Sequence, residues 1–247
     1  MTVDQRKQKA SCGIGSGITF DSTAEGEYAE WLVKRRFLLR ATAGFELLET
    51  LRLEEGTYWL LDGHLRRLCL SAEHFGFSVD AEMVRQGLDP LAAKYSSGRW
   101  RVRLQLLRDG KAKAEAHALE PNPAEVSVAL ARSAVDSSSE WLRHKTSERS
   151  IYAPHLPAAT GIFDTLLFNE RDEITEFTRG NVVIELDGRR VTPPLSCGLL
   201  PGILRAELLR GGAVTERVVT RDELVRATGL WFVNSVRGEL PARLRQD

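Results

Sequence analysis

The sequence predicts a mixed α/β protein built in two lobes. Short period-two apolar runs occur in both halves beside stretches of helical spacing, and a proline-rich link, Leu119-Glu120-Pro121-Asn122-Pro123-Ala124, falls near the middle between strand-like runs. Two prolines two residues apart exclude helix there and stiffen the chain. With 247 residues and 43% hydrophobic content the chain can bury a sizeable core. The lobes expected are residues 45–120, small and α/β, and 125–247, larger; residues 1–44 stand apart from both.

Taken in order, Glu25–Arg40 reads as a charged helix with Tyr28, Leu32 and Leu39 near one face. Phe45–Leu53 and Thr57–Leu61 are β-prone and separated by Glu54-Glu55-Gly56, a hairpin signal. Asp62-Gly63 opens a helix with Leu65, Leu68, Ala72 and Phe75 at helical spacing, which Gly76 stops. Trp100, Val102, Leu104 and Leu106 alternate with Arg101, Arg103 and Gln105, the pattern of a half-buried strand. Val126–Ala131, Ile162–Phe168, Glu173–Phe177 and Val182–Leu186 read as further strands, with breaks at Asn169–Asp172 and Arg179-Gly180. Leu200-Pro201-Gly202 precedes a helix over Ile203–Arg210 that ends at Gly211-Gly212. Thr220-Arg221-Asp222-Glu223 is a capping box, and Leu230–Val233 is a last strand leading into Asn234-Ser235.

Several classes are excluded or disfavoured. Lys and Arg (34) balance Asp and Glu (34), which removes the simplest argument for a nucleic-acid or anionic-membrane partner. No apolar run approaches the ~20 residues a membrane span needs, and Met1–Ala10 is too polar for a secretory leader. Three cysteines, none in a Cys-x-x-Cys pair, argue for a reducing, cytoplasmic setting and against a disulfide framework or structural zinc. The five histidines lack metal-ligand spacing, and no phosphate loop, His-Glu-x-x-His helix or nucleophile elbow occurs. Gly13-Ile14-Gly15-Ser16-Gly17 is glycine-rich, but no strand precedes it, so it is a weak dinucleotide signal.

Five scattered segments remain as candidates for chemistry. They are Arg66-Arg67 on a helix, Arg143-His144-Lys145-Thr146 between two strands, Asn169 through Glu176, the glycine-flanked helix start Gly198 through Arg205, and Asn234 through Gly238. Read singly, the arginines are a solvated edge and the lysine a surface lysine. Glu176 follows β-prone Ile174-Thr175 and can point inward, where an unpaired carboxylate is costly. A helix start preceded by glycine leaves backbone N–H groups free for an anion such as phosphate. Together, an arginine, a helix N-terminus, an amine and a carboxylate are the parts a pyridoxal phosphate site needs.

From about Phe45 to its C-terminus the chain resembles the class IV, fold type IV, pyridoxal-phosphate enzymes. These include aminodeoxychorismate lyase, branched-chain aminotransferase and D-amino acid aminotransferase. The stretches that carry the resemblance, in family order, are Glu46 through Arg52, His64-Leu65-Arg66-Arg67-Leu68 with Ser71-Ala72, and His144-Lys145-Thr146. Asn169 through Glu176, Asn181, Thr192-Pro193-Pro194-Leu195, Gly198 through Arg205 and Asn234-Ser235-Val236-Arg237-Gly238 complete them. The resemblance implies a two-lobed fold like that of D-amino acid aminotransferase, with pyridoxal 5'-phosphate as cofactor. It implies that Lys145 is the Schiff-base lysine, Arg67 the phosphate arginine and Glu176 the glutamate facing the pyridine nitrogen. Ile203 and Leu204 would hold the phosphate by backbone N–H groups, and Asn234 and Ser235 would fall near the phosphate and substrate wall. Arg149 and Tyr152 match positions that contact ring or substrate, and Arg149 or Arg237 would pair with a substrate carboxylate.

Residues 1–44 do not resemble a class IV N-terminus. Cys12 through Ile18, with Asp21-Ser22 and Glu27-Tyr28-Ala29-Glu30, resemble the C-terminal end of chorismate-utilising synthases. The chain therefore looks like the lyase half of a fused aminodeoxychorismate synthase component I and lyase, carrying a short synthase remnant. The leading expectation is a 4-amino-4-deoxychorismate lyase that forms 4-aminobenzoate and pyruvate for folate synthesis. A class IV amino-acid transaminase shares every cofactor residue and stands as the alternative, followed by a non-catalytic remnant domain. A homodimer, a separate synthase subunit as possible partner, and no nucleic acid or membrane complete the expectation.

Overall fold

The computed structural model describes residues 44–157 and 159–245, together with 2–4, 9–11, 13, 22–28 and 31. Residues 1–44 form one unit and 45–247 another. In the first unit β1 (Thr2–Asp4) pairs antiparallel with β2 (Lys9–Ser11), and residues 24–28 are helical. Apart from residue 31, the remainder of the helix expected over 25–40 lies outside the described residues. So do Cys12, Ile14–Ile18 and Asp21 of the synthase-like stretch.

The second unit begins with a four-stranded antiparallel sheet in the order β4-β3-β5-β6. Its strands are β3 (Leu47–Glu54), β4 (Thr57–Tyr58), β5 (Arg99–Leu106) and β6 (Ala112–Ala118). The expected hairpin forms as a two-residue turn in which Glu55 (φ 48°) and Gly56 (φ 73°) are both left-handed, the twist that suits right-handed strands. Only Thr57-Tyr58 of the second expected strand is extended, because Leu61 already starts helix α1 (Leu61–Phe75). Gly76, at φ 68°, ends that helix. Helix α2 (Ala81–Lys94), capped by Asp80 side-chain bonds to the N–H groups of Glu82 and Met83, packs beside it. Leu47, Leu51, Leu53, Val102 and Leu104 on one sheet face meet Leu65, Leu68, Ala72 and Leu88 of the helices. The other face carries Leu48, Thr50, Arg101 and Arg103, the alternation of a sheet covered on one side.

The remaining strands form an eight-stranded sheet, β12-β11-β10-β13-β14-β7-β8-β9. They are β7 (Val126–Leu130), β8 (Asp164–Phe168), β9 (Ile174–Phe177), β10 (Gly180–Leu186), β11 (Arg189–Thr192), β12 (Thr215–Glu216), β13 (Gly229–Asn234) and β14 (Gly238–Leu244). Because β9 pairs with both β8 and β10, six of these strands close on themselves around Val128, Leu166, Phe177, Ile184 and Phe232. β8 and β9 are buried along their whole length, and that burial includes the polar Asp164, Thr165, Thr175 and Glu176. Helix α3 (Ile203–Arg210) crosses this sheet, and α4 (Arg221–Leu224) has the full capping box expected at Thr220 and Glu223. The break expected at Arg179-Gly180 falls one residue earlier, at Thr178-Arg179, since Gly180 already pairs with Phe177.

Candidate active site

A cavity of about 580 Å³ opens in the second unit, a size suited to a cofactor and small substrate. Its innermost acid is Glu176, near the end of β9 and 3% exposed. Tyr152 donates its hydroxyl to Glu176 Oε1 (2.9 Å), while the Leu200 N–H (3.2 Å) and the Asn181 amide (3.3 Å) donate to Oε2. All three donors are neutral, and Glu176 forms no ion pair among the described residues. Burial pushes its carboxyl up to about 8, outweighing the opposing pull of Tyr152, Leu200, Lys145 and Arg149.

Lys145 reaches the same cavity from an irregular segment that the fold nonetheless fixes. Where short β4 leaves the edge of β3 open, residues 145–147 take its place. The Leu48 N–H donates to the Lys145 carbonyl and the Ser147 N–H to the Glu46 carbonyl, both at 2.9 Å. The Lys145 ammonium makes no hydrogen bond or ion pair among the described residues. Burial, then the charges of Arg67 and Arg149, depress it to about 8, although Glu49 and Glu176 oppose them.

Arg66 and Arg67 part company on α1: Arg66 is exposed, whereas Arg67 is buried. Arg67 grips Glu49 of β3 with two bonds, Nε to Oε1 at 2.8 Å and Nη2 to Oε2 at 2.6 Å. His64, one turn earlier on the same helix face, meets Glu49 Oε2 at 2.6 Å. Burial raises the Glu49 carboxyl, but Arg67 and His64 together hold it down at about 2. Arg67 Nη1 reaches on to the Pro201 carbonyl at 3.1 Å, next to the start of α3. There Gly202 caps the helix without any side-chain bond. A Cβ on Gly202 would lie 1.7 Å from Asn181 Oδ1, so only glycine lets the helix start so close to the Glu176 network. Ile203 lines the cavity; Leu204 is buried but not part of its wall.

The outer wall is rich in arginine. Arg149 lies over the Tyr152 ring (4.6 Å) and donates to the Thr178 carbonyl (2.7 Å). Arg237 is tied to Asn122 Oδ1 (3.1 Å) and the Glu120 carbonyl (3.4 Å) of the proline-rich link. Arg101 and Arg103 face the cavity from β5 without a hydrogen bond or ion pair among the described residues. Ser235 is buried in the wall. Asn234 is there too, but its amide is occupied: Oδ1 accepts from Val236 and Arg237, and Nδ2 donates to the Arg179 carbonyl.

Residues 46–244 match the family model described as amino-transferase class IV. The chain belongs to that family. Class IV enzymes depend on pyridoxal phosphate, and their members include both transaminases and aminodeoxychorismate lyases. A Mesorhizobium loti crystal structure titled a putative amino-acid aminotransferase is 42% identical, with TM-score 0.76, and spans 81% of this chain and all of that one. A Schizosaccharomyces pombe protein named a putative aminodeoxychorismate lyase is 28% identical over 201 residues, 77% of this chain and 86% of that protein. The 4-amino-4-deoxychorismate lyase of Pseudomonas aeruginosa shares the fold, with TM-score 0.68 at 24% identity over 81% and 82% of the two chains.

Of the residues the sequence assigns to one site, Lys145, Arg67, Glu176, Arg149, Tyr152, Ile203, Ser235, Asn234 and Arg237 line this cavity, and Leu204 does not. Sequence reasoning gives no role to Glu49 or Asn181. Glu49 was findable, because Leu47, Glu49, Leu51 and Leu53 share the buried face of β3. A carboxylate there demands a cation from the covering helix. Among the described residues no cluster of three metal-type ligands occurs, and no helix is long and apolar enough to cross a membrane.

Proposed function

We propose that the protein is a pyridoxal-phosphate-dependent 4-amino-4-deoxychorismate lyase, releasing pyruvate and leaving 4-aminobenzoate. The observation that carries the reading is the charge layout of the cavity. A depressed amine and a buried carboxyl without a cation lie deep, and an arginine wall faces them. The substrate is an amine with two carboxylates, and such a wall suits a dianion better than an apolar amino-acid side chain.

The residues present fit the cofactor on four counts. Glu176, poised near 8 by burial, takes a protonated ring nitrogen as its missing cation. The unbonded N–H groups at the start of α3, with Arg67 beside them, take the phosphate. Lys145 has a free amine for the aldehyde. Gly202 brings backbone close where a side chain would collide with Asn181. Bound there, pyridoxal phosphate supplies an electron sink.

Within that frame each side chain has a defined task. At about 8, the Lys145 amine is partly unprotonated near neutrality, so it could take the proton from the amine-bearing carbon, which carries no hydrogen in 4-aminobenzoate, and pass it to the departing enolpyruvate, which leaves as pyruvate. Glu176 would hold the proton of the ring nitrogen of a bound cofactor. Glu49 holds the Arg67 fork rigid, so its remaining N–H group stays aimed at the helix start. Arg149 and Arg237, tied down by backbone and side-chain acceptors, present cations to the carboxylates. Residues 1–44, with their likeness to a synthase C-terminus, also favour the lyase. The Mesorhizobium loti relative favours the second reading, a class IV transaminase.

The test is an absorbance spectrum of the purified protein with pyridoxal phosphate, before and after borohydride, with the labelled peptide mapped. A visible-edge band abolished by borohydride, with the label on Lys145, is expected, and a Lys145→Ala variant shows neither. Aminodeoxychorismate should then yield 4-aminobenzoate and pyruvate in equal amounts. Amino transfer to a 2-oxo acid without release of 4-aminobenzoate would replace the lyase by the transaminase. A protein that stays colourless removes both.

A further inference from the structure

Arg179 takes no part in the tasks described above, yet the fold invests a buried charge in holding it. It sits at the tip of the two-residue turn between β9 and β10, three residues after Glu176, and lines the cavity. Its Nε pairs with Asp164 Oδ2 (3.2 Å), Nη2 donates to the Phe163 carbonyl, and its plane lies over the Phe163 ring (5.0 Å). Nη1 has no partner among the described residues. The Asp164 side chain is wholly buried while that of Arg179 is half exposed. Asp164 Oδ1 meanwhile accepts from the Thr165 N–H (2.7 Å), the Thr178 N–H (3.2 Å) and the Thr178 hydroxyl (2.6 Å), which clamps the turn.

A buried carboxylate clamped by a turn and aimed at one arginine fixes that guanidinium in place, so little side-chain freedom is lost when it binds an anion. The Arg179 side chain is half exposed where that of Glu176 is buried, so it belongs to the rim of the cavity. By contrast Arg101 and Arg103 stand on an open strand face with nothing to hold them.

We infer that Arg179 is a specificity-determining residue that binds the second, outer carboxylate of a dianionic substrate, with Asp164 as its positioning residue. The inference rests on the lyase reading only in requiring two carboxylates. It predicts selectivity between dianions and monoanions, not a change in the chemistry at Lys145.

The experiment is calorimetric titration of the cofactor-loaded protein with benzene-1,3-dicarboxylate and with benzoate. The parent protein should bind the dianion roughly ten-fold more tightly or better, the worth of a charge-assisted hydrogen bond. Arg179→Gln should erase that preference and leave benzoate affinity unchanged. Asp164→Asn should weaken the preference with Arg179 still present; if that variant fails to fold, Arg179→Gln, at a half-exposed site, decides alone. A preference that survives Arg179→Gln overturns the inference and leaves the dianion reading standing, as does an equal loss for both probes. No preference in the parent protein overturns the dianion reading and the inference with it.

Discussion

Glu49 and Glu176 are buried almost equally, 1% and 3% exposed, yet they are held on opposite sides of neutrality. Burial raises both carboxyls. What separates them is the partner: Glu49 has a guanidinium fork and an imidazole, Glu176 only a phenol, an amide and a backbone N–H. The first is driven to about 2 and the second rises to about 8. Neutral donors soften the desolvation of a carboxylate without cancelling it; a cation in contact does cancel it. Glu49 is thus completed by its own chain, whereas on the proposed reading Glu176 is completed by a cofactor.

The most direct way to break this contrast is to remove the cation from one site and the carboxyl from the other. Arg67→Met leaves Glu49 buried and without its main partner, which should cost about 3–5 kcal/mol of unfolding free energy. Glu176→Gln replaces a carboxyl that is already protonated below 8 by a neutral group of the same shape, and should change stability by less than ~1 kcal/mol. Urea unfolding of the cofactor-free proteins at mildly acidic pH reads both. Equal losses would mean that Glu176 is ionised and paired after all.

The same contrast predicts opposite slopes of stability with pH. For Glu49 the folded value lies below the ordinary 4.5, so its contribution is present above 4.5 and is lost as pH falls towards 2. For Glu176 the folded value lies above 4.5, so its contribution is present below 4.5 and is lost as pH rises through 8. Lys145, lowered from 10.5 to about 8, contributes above 10.5 and loses that contribution as pH falls to 8. Cofactor-free protein should therefore lose on the order of 4 kcal/mol between pH 4.5 and 8 through Glu176. Glu176→Gln flattens that limb, and Lys145→Met flattens the one between 8 and 10.5. Denaturant midpoints across pH check it; a parent protein whose stability is level from 4.5 to 8 would refute the raised Glu176.

Much of this was legible in the residues, though unevenly. The core strands β8 and β10 are legible from the apolar stretches Leu166–Phe168 and Val182–Ile184, β9 from β-prone Ile174-Thr175, and α1 from its spacing and its Gly76 stop. Helix α2 is not, since Gly87 and Pro90 interrupt it and only Val84 and Leu88 are buried. Nor is β6, whose alanines alternate with Lys113, Glu115 and His117 but carry little apolar signal. Lys145, Arg67 and Glu176 were recognisable by order and wording along the chain, whereas their convergence depends on long-range pairing. Glu49 and Arg67 are 18 residues apart, and Arg67 and Pro201 are 134 apart. No local pattern encodes such contacts. The turn that carries Arg179 shows the same limit, because Asp164 is visible as a strand residue but not as a clamp.

The finest adjustment of the contrast lies in Tyr152. Its hydroxyl is one of three donors to Glu176 and, after burial, the strongest influence on that carboxyl, pulling it down. Tyr152→Phe keeps the ring that Arg149 covers and removes only the bond. The loss should be about 1 kcal/mol where Glu176 is protonated and larger above pH 8, where the bond is to a carboxylate. The midpoint of the Glu176 limb should move upward, away from Glu49. Should the midpoint stay in place while stability falls equally at every pH, the phenol would be a packing element, and burial alone would set the protonation of Glu176.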